Sequence, residues 1–196
     1  MIDLTALEIQ SASPSLMDWG GELAGVLGGV TIRLDRLGSR HAIAANAPPK
    51  VVEPEGRLWT SRLKRAKQQG GRVAFPQPGL LIGDPGTPQV AANVAAGSSI
   101  PLTGLTSGYV IREGQWLSVT HNGRSYLYSA DAQVTANGSG SATVAITPLL
   151  RSQLSAGDVV NLAAPILEGW LSGDEFSWTI EAAHTVGLQF TVTERA

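Results

Sequence analysis

The sequence predicts a mainly β protein, β-rich with one main helix, built as a β-sandwich into which a small β-barrel is inserted. Three observations carry this expectation. Glycine (23) and proline (11) cut the 196 residues into short runs, most with the period-two alternation of strands. Only Glu55 to Gln69 keeps helical spacing. The block 84 to 165 holds just seven charged residues, Asp84, Arg112, Glu113, Arg124, Asp131, Arg151 and Asp158, and is bracketed by Pro76, Pro78, Pro85 and Pro88 on one side and Pro165 on the other. Such an island reads as an insertion, because the short piece after it is too small to fold alone and must complete the first domain. The expected organisation is residues 1–83 plus 166–196 as the sandwich and 84–165 as the inserted barrel.

In the outer part, Leu4 to Gln10 reads as a strand, and Val30 to Asp35 with His41 to Ala45 as a hairpin across Leu37-Gly38-Ser39. The helix places Leu58, Trp59, Leu63 and Ala66 on one face, and Gly70-Gly71 ends it. Arg57, Arg62, Lys64, Arg65 and Lys67 occupy most of the rest. Phe176 to Thr179 and Leu188 to Glu194 read as closing strands.

The inserted block has one decisive signal. Asn122-Gly123 lies between two alternating runs and supplies the two positive-φ positions of a type I′ turn. Counting outward pairs His121 with Arg124, Val119 with Tyr126 and Leu117 with Tyr128, so the last four apolar residues share a face. Trp116, Ser118, Thr120, Ser125 and Leu127 fall on the other. Further strands are expected at Gln89 to Ala95, Ser99 to Thr103, Ala132 to Ala136, Ala142 to Thr147 and Asp158 to Leu162, with a turn at Asn137-Gly138-Ser139-Gly140. Short strands this closely spaced suggest an OB-like barrel or a related sandwich.

Composition narrows function. Charged residues are 15% of the chain against about 25% in ordinary soluble domains. A surface so poor in charge fits a subunit covered by other protein. The absence of cysteine excludes disulfides, thiolate metal sites and a Cys nucleophile. The net charge of −2 gives no general pull toward nucleic acid or anionic membranes. The start, MIDLTALEIQ, lacks a basic leader region, and no apolar run approaches the roughly 20 residues of a membrane span, so no membrane insertion is expected.

Chemistry-bearing patterns are sparse. His41, His121 and His184 lack partners at metal-ligand spacing, and Gly97-Ser98-Ser99 reads as a turn rather than a nucleophile. His41 reads as a surface or subunit-contact residue. Asp174 and Glu175 are adjacent, so a strand would point them to opposite faces. No catalytic, cofactor or metal residue is assigned and no enzyme is expected. The basic helix is expected to pair with the acidic segment Glu168, Asp174, Glu175, Glu181 and Glu194, within or between subunits, rather than with phosphate. The scatter of Trp19, Trp59, Trp116, Trp170 and Trp178 favours core and interface anchors over a sugar or base platform, with Trp59 assigned to the core. The candidate interface residues are Trp19, Arg36, His41, Arg62, Arg65 and Trp170.

Several segments resemble distal tail proteins of long-tailed bacteriophages and related prophages. In the outer part these are Asp18-Trp19-Gly20-Gly21-Glu22-Leu23, Leu27-Gly28-Gly29, the run 33–42, Glu53 to Trp59, Arg62 to Lys67 and Phe75-Pro76-Gln77-Pro78-Gly79. Glu113 to Val119, Gly123 to Leu127 and Ala142 to Arg151 are similar to the barrel insertions of such proteins. The resemblance implies a homo-oligomer, usually a hexameric ring, whose belt domain joins the tail tube to the hub and tip proteins around a channel that DNA crosses without specific binding. It implies a place in the virion tail, after synthesis in the bacterial cytoplasm. A carbohydrate-binding adhesin using Trp116 on a host-surface glycan, another tail component such as a tube or hub subunit, and a cell-wall hydrolase using Asp174 or Glu175 are the alternatives.

Overall fold

The structure, a computed structural model, describes residues 1–25 and 28–195. It is mainly β, with one α-helix and a closed six-stranded barrel. The outer part opens with β1 (Ile2–Asp3), β2 (Ser11–Met17), β3 (Gly21–Leu23), β4 (Ile32–Leu34) and β5 (Arg40–Val51). A π-type turn at Val52–Gly56 leads into α1 (Arg57–Gln69) and then β6 (Gly71–Ala74). After the barrel, β15 (Ile166–Leu171), β16 (Trp178–Ile180) and β17 (Thr185–Glu194) return to the same sheet. Its order is β1-β6-β15-β17-β5-β2, with β16 also on β17; the β1–β6 pair is parallel and the other pairs are antiparallel.

Alternation along β17 turns Val186, Leu188, Phe190 and Val192 inward, where they meet Ile43, Ala45 and Ala47 of β5 and Trp59, Leu63 and Ala66 of α1. The helix therefore covers this half of the sheet, and Trp59 is core as expected. Leu58 is not: it is exposed, on the side of the helix away from the sheet. Gly70, at φ 75°, ends the helix with its N–H on the Ala66 carbonyl.

Two expected elements of the outer part are corrected. Residues 4–10 form no strand. The Asp3 carboxylate accepts the Thr5 N–H at 2.9 Å and the Thr5 hydroxyl at 2.7 Å, an Asx turn that stops β1 and sends Leu4 and Leu7 into the core from a loop. The hairpin expected between Val30 and Ala45 does not form either. Strand β5 is paired on both edges, by β2 and β17, so β4 has no place beside it and pairs with β3 instead. Leu27, within one of the resembling segments, lies outside the described residues.

The barrel comprises β7 (Gly86–Val90), β8 (Ser99–Leu105), β10 (Trp116–His121), β11 (Arg124–Ala130), β13 (Ala142–Thr147) and β14 (Val159–Asn161), closed in the order β10-β11-β13-β8-β7-β14. A small ribbon of β9 (Val110–Ile111) and β12 (Val134–Thr135) lies beside it. The register of β10 and β11 is the one counted from the turn, with Asn122 at φ 49° and Gly123 at φ 73°. Leu117, Val119, Tyr126 and Tyr128 point into the barrel core. Leu127, on the opposite face, is equally buried, but in the core of the outer sheet. The barrel wall β10–β11 thus forms part of the lid over that sheet.

Strand β15 fits between β6 and β17 through Gly169, where a Cβ would lie 2.0 Å from the Thr193 carbonyl oxygen. Since a real side chain cannot approach so closely, Gly169→Ala must force β15 and β17 apart. A loss of stability of at least about 2 kcal/mol is expected in urea unfolding, within the range of overpacking and backbone-strain mutations; a midpoint matching the wild type would refute this.

Candidate functional site

The polar centre of the molecule is the junction between sheet and barrel. In the β10–β11 hairpin the N–H groups of Ser125 and Leu127 point away from β10, because Thr120↔Ser125 and Ser118↔Leu127 are the non-hydrogen-bonded pairs. Strand β13 pairs with β11 only at Ser129 and Ala130, so those two amides have no strand partner. Buried amides must find acceptors. Two carboxylates of the outer sheet supply them: Glu194 Oε1 accepts the Leu127 N–H at 2.8 Å and Glu168 Oε2 the Ser125 N–H at 3.4 Å. Each carboxylate is only 1% exposed.

Buried carboxylates need counter-charges. Arg72 Nε reaches Glu168 Oε2 at 2.7 Å, and Arg195 lies 3.0 Å from its other oxygen. Arg151, itself buried, forms a short ion pair with Glu194, whose second oxygen accepts the His41 N–H at 3.2 Å. Further clasps are polar but uncharged. Gln77, from the Pro-rich connection, accepts the Trp116 N–H at 2.8 Å and donates to the Leu162 carbonyl at 3.2 Å. Ser118 Oγ accepts the Ile166 N–H at 3.0 Å.

His41 belongs to this junction, which corrects its assignment to the surface. It is 3% exposed, and its ring packs edge-on against Trp116 with centroids 4.7 Å apart. Burial, reinforced by the Arg151 charge, pushes its imidazole down to about 4. Burial likewise pushes the Tyr128 phenol, inside the barrel, up to about 12. Trp116 is half-buried, with Phe75 4.3 Å from it on another side, and packs against the core of the outer sheet.

The other candidate residues are spread over the surface. Trp19 is half-exposed, with the Arg40 guanidinium 5.7 Å from its ring centre. Arg36 is exposed beside Asp35, Pro148 and Leu149. Arg62 lies over the Trp59 ring at 4.9 Å, and Arg65 is exposed on the same helix. Trp170 is half-exposed and lines, with Arg40, Arg124 and Arg195, an open groove of about 730 Å³. The structure gathers none of these into a single site.

Within the chain, the expected pairing of helix cations with the acidic segment does not form: among the described residues, no ion pair joins α1 to that segment. Glu168 and Glu194 are taken by the junction arginines, and Arg57 pairs with Glu53 at 2.6 Å. Lys67 instead caps the end of β15, donating to the carbonyls of Leu171, Ser172 and Gly173. Lys64 sits over the Trp178 ring at 5.5 Å.

Asp174 and Glu175 are exposed in the loop between β15 and β16. One His–carboxylate pair does form: His121 Nδ1 lies 2.7 Å from Asp158, and the Asn122 side chain occupies its Nε2 at 2.9 Å. With both ring nitrogens engaged, it clips β10 to β14 at the barrel seam. Among the described residues, no group of three or more His, Cys, Asp or Glu side chains is placed to hold a metal ion, and no helix is long and apolar enough to cross a membrane. Compared with protein-family models and with curated proteins, the chain matches none.

Of the junction carboxylates, Glu194 left a trace in the sequence. It ends the alternation Val186, Leu188, Phe190, Val192, which assigns it an inward position. Its partners, 43 and 67 residues away, carry no local signal.

Three outcomes are expected. Glu194→Ala strips Arg151 and the Leu127 amide of their acceptor and should cost on the order of 3–5 kcal/mol in chemical denaturation. Glu53→Ala, which breaks an exposed pair, should cost under about 1 kcal/mol. For His41, the unfolded imidazole titrates at its ordinary 6.5 and the folded one at about 4. Between these values the unfolded chain holds the extra proton, so His41 withdraws up to about 3 kcal/mol of stability as pH falls from 6.5 to 4. The wild type should therefore lose more stability across that window than His41→Gln, and parallel pH profiles would refute this role.

Proposed function

We propose that the chain is a structural subunit of a bacteriophage tail, forming a ring at the distal end of the tail tube that connects the tube to the tip or hub complex and surrounds the DNA channel. The observation that carries the reading is the distribution of uncovered apolar side chains. Trp19, Leu23, Ile32, Leu34 and Leu37 are exposed at one end of the outer sheet and Trp178 and Ile180 at the other, on a chain with few charges to keep such surface solvated. Apolar surface at two separate ends suits repeated contact between like subunits. The resemblance of the segments around Trp19, Trp59 and Trp116 to distal tail proteins points the same way.

In this reading, residues 1–83 plus 166–196 form the belt sandwich and 84–165 the OB-like insertion, projecting from a wall it shares with the belt. A near-neutral balance of charge, −2 overall, lets DNA pass without capture, since affinity for it grows with each phosphate neutralised. The ring is hexameric, its neighbours are the tube and hub proteins, and its place is the virion tail.

Electron microscopy and light scattering of the purified protein test the ring, and antibody labelling of particles tests its place. Annular particles with a central opening, and label at the far end of the tail tube, are expected. A monomer at every concentration, with no label on particles, would overturn the reading.

A further inference from the structure

The groove beside Trp170 lies on the face of the outer sheet away from α1. Ala42 is level with Thr193, and Thr193 with Trp170, so their side chains share that face, opposite Ile43 and Val192, which turn toward the helix. Arg40, two residues before Ala42, and Arg195, two residues after Thr193, return to the same face by the period of two. Arg124 reaches over from the barrel and donates to the Arg195 carbonyl at 2.6 Å, and the three arginines line the open groove of about 730 Å³.

Charge at this place is not balanced within the chain. The junction acids are already taken, Glu168 by Arg72 and Arg195 and Glu194 by Arg151, so that Arg40, Arg72, Arg151 and Arg195 set four positive charges against two negative ones. Asp18, the acid nearest Arg40 in sequence, is held by Arg33, the Ser39 hydroxyl and the Gly20 N–H. Arg40 itself forms no ion pair among the described residues. Its guanidinium lies 5.7 Å from the Trp19 ring centre, and its Nε is buried without an acceptor, as is that of Arg195. Buried donors of this kind cost stability until something accepts them. Neutral donors are at hand as well: the Ser172 and Thr193 hydroxyls are 2.5 Å apart, and because only one proton lies between them, the other is left to donate. Trp170, 48% exposed, borders the same groove with a flat apolar ring.

We propose that this groove binds a phosphate monoester whose organic part is a flat ring, with the phosphate on Arg40 and Arg195 and the ring on Trp170. Guanidinium forks match the oxygens of a phosphate in geometry as well as charge. A monoester carries roughly −1.5 to −2 near neutral pH, which answers a surplus of two positive charges, whereas a carboxylate or a backbone diester of nucleic acid brings only about −1. An indole face takes a flat ring by offset stacking. The assignment goes beyond the tail reading and does not rest on it, since a lone subunit would carry the groove too.

Phenyl phosphate is the probe, titrated calorimetrically into the full chain near neutral pH. It should bind about tenfold or more tightly than either benzoate or inorganic phosphate. Arg40→Gln, which takes a partner from no carboxylate, should weaken phenyl phosphate by about tenfold while the thermal melt stays unchanged. Arg40→Lys keeps the charge without the fork and should still lose about threefold, which decides the matter if the Gln variant melts early. Trp170→Ala should bring phenyl phosphate down to the affinity of inorganic phosphate and leave the latter as it was. No heat with phenyl phosphate, or full affinity in both Arg40 variants, would overturn the site. Benzoate binding as tightly would replace the phosphate with a carboxylate, and a single-stranded oligonucleotide without terminal phosphates binding more tightly than phenyl phosphate would replace the monoester with a nucleic-acid backbone.

Discussion

Two buried carboxylates decide how the molecule is put together. Glu168 and Glu194 belong to the outer sheet, yet the amides they accept belong to a barrel strand that its neighbour leaves half-paired. Neither part is complete without the other: the barrel would keep two orphaned N–H groups, and the sheet would keep buried charges without their full set of donors. Arg72 and Arg195 on one carboxylate and Arg151 on the other make the burial tolerable by keeping the charges paired. Leu127, Trp116, Phe75 and His41 then fill the apolar space around this polar hinge point. The junction is polar at its centre and apolar around it, which fixes orientation as well as adhesion.

How much of this was legible depended on the range of the interaction. The Asn122-Gly123 hairpin was read residue by residue because its register follows from a two-residue turn, and α1 was read because its periodicity is local. Leu58 was misassigned to the buried face, since periodicity alone places it at the border. The fate of Leu4 to Gln10 turned on one carboxylate, Asp3, bending the chain against a pattern that looked extended. Strand β4 was given the wrong partner because nothing near it reveals that β5 is already occupied on both sides by strands far away in sequence. The junction was the least visible part. An inward Glu194 could be suspected from alternation, but its arginine and the amide it serves are brought to it only by the closed barrel.

The acidic C-terminal segment shows the same limit from the opposite side. Charge counting put it against the basic helix, whereas the fold spends its two most buried acids inside and leaves the helix cations to aromatic rings and strand-end carbonyls. The helix thereby keeps most of its positive charge outward.

The shared wall between barrel and sheet has a mechanical corollary. A module tethered only by its two connecting chains would swing freely, but β10 and β11 are welded along their length to the layer beneath. The turns at the opposite rim, such as Asn137 to Gly140, touch no part of that weld. Any push applied to them is delivered to the base as leverage rather than dissipated in a joint.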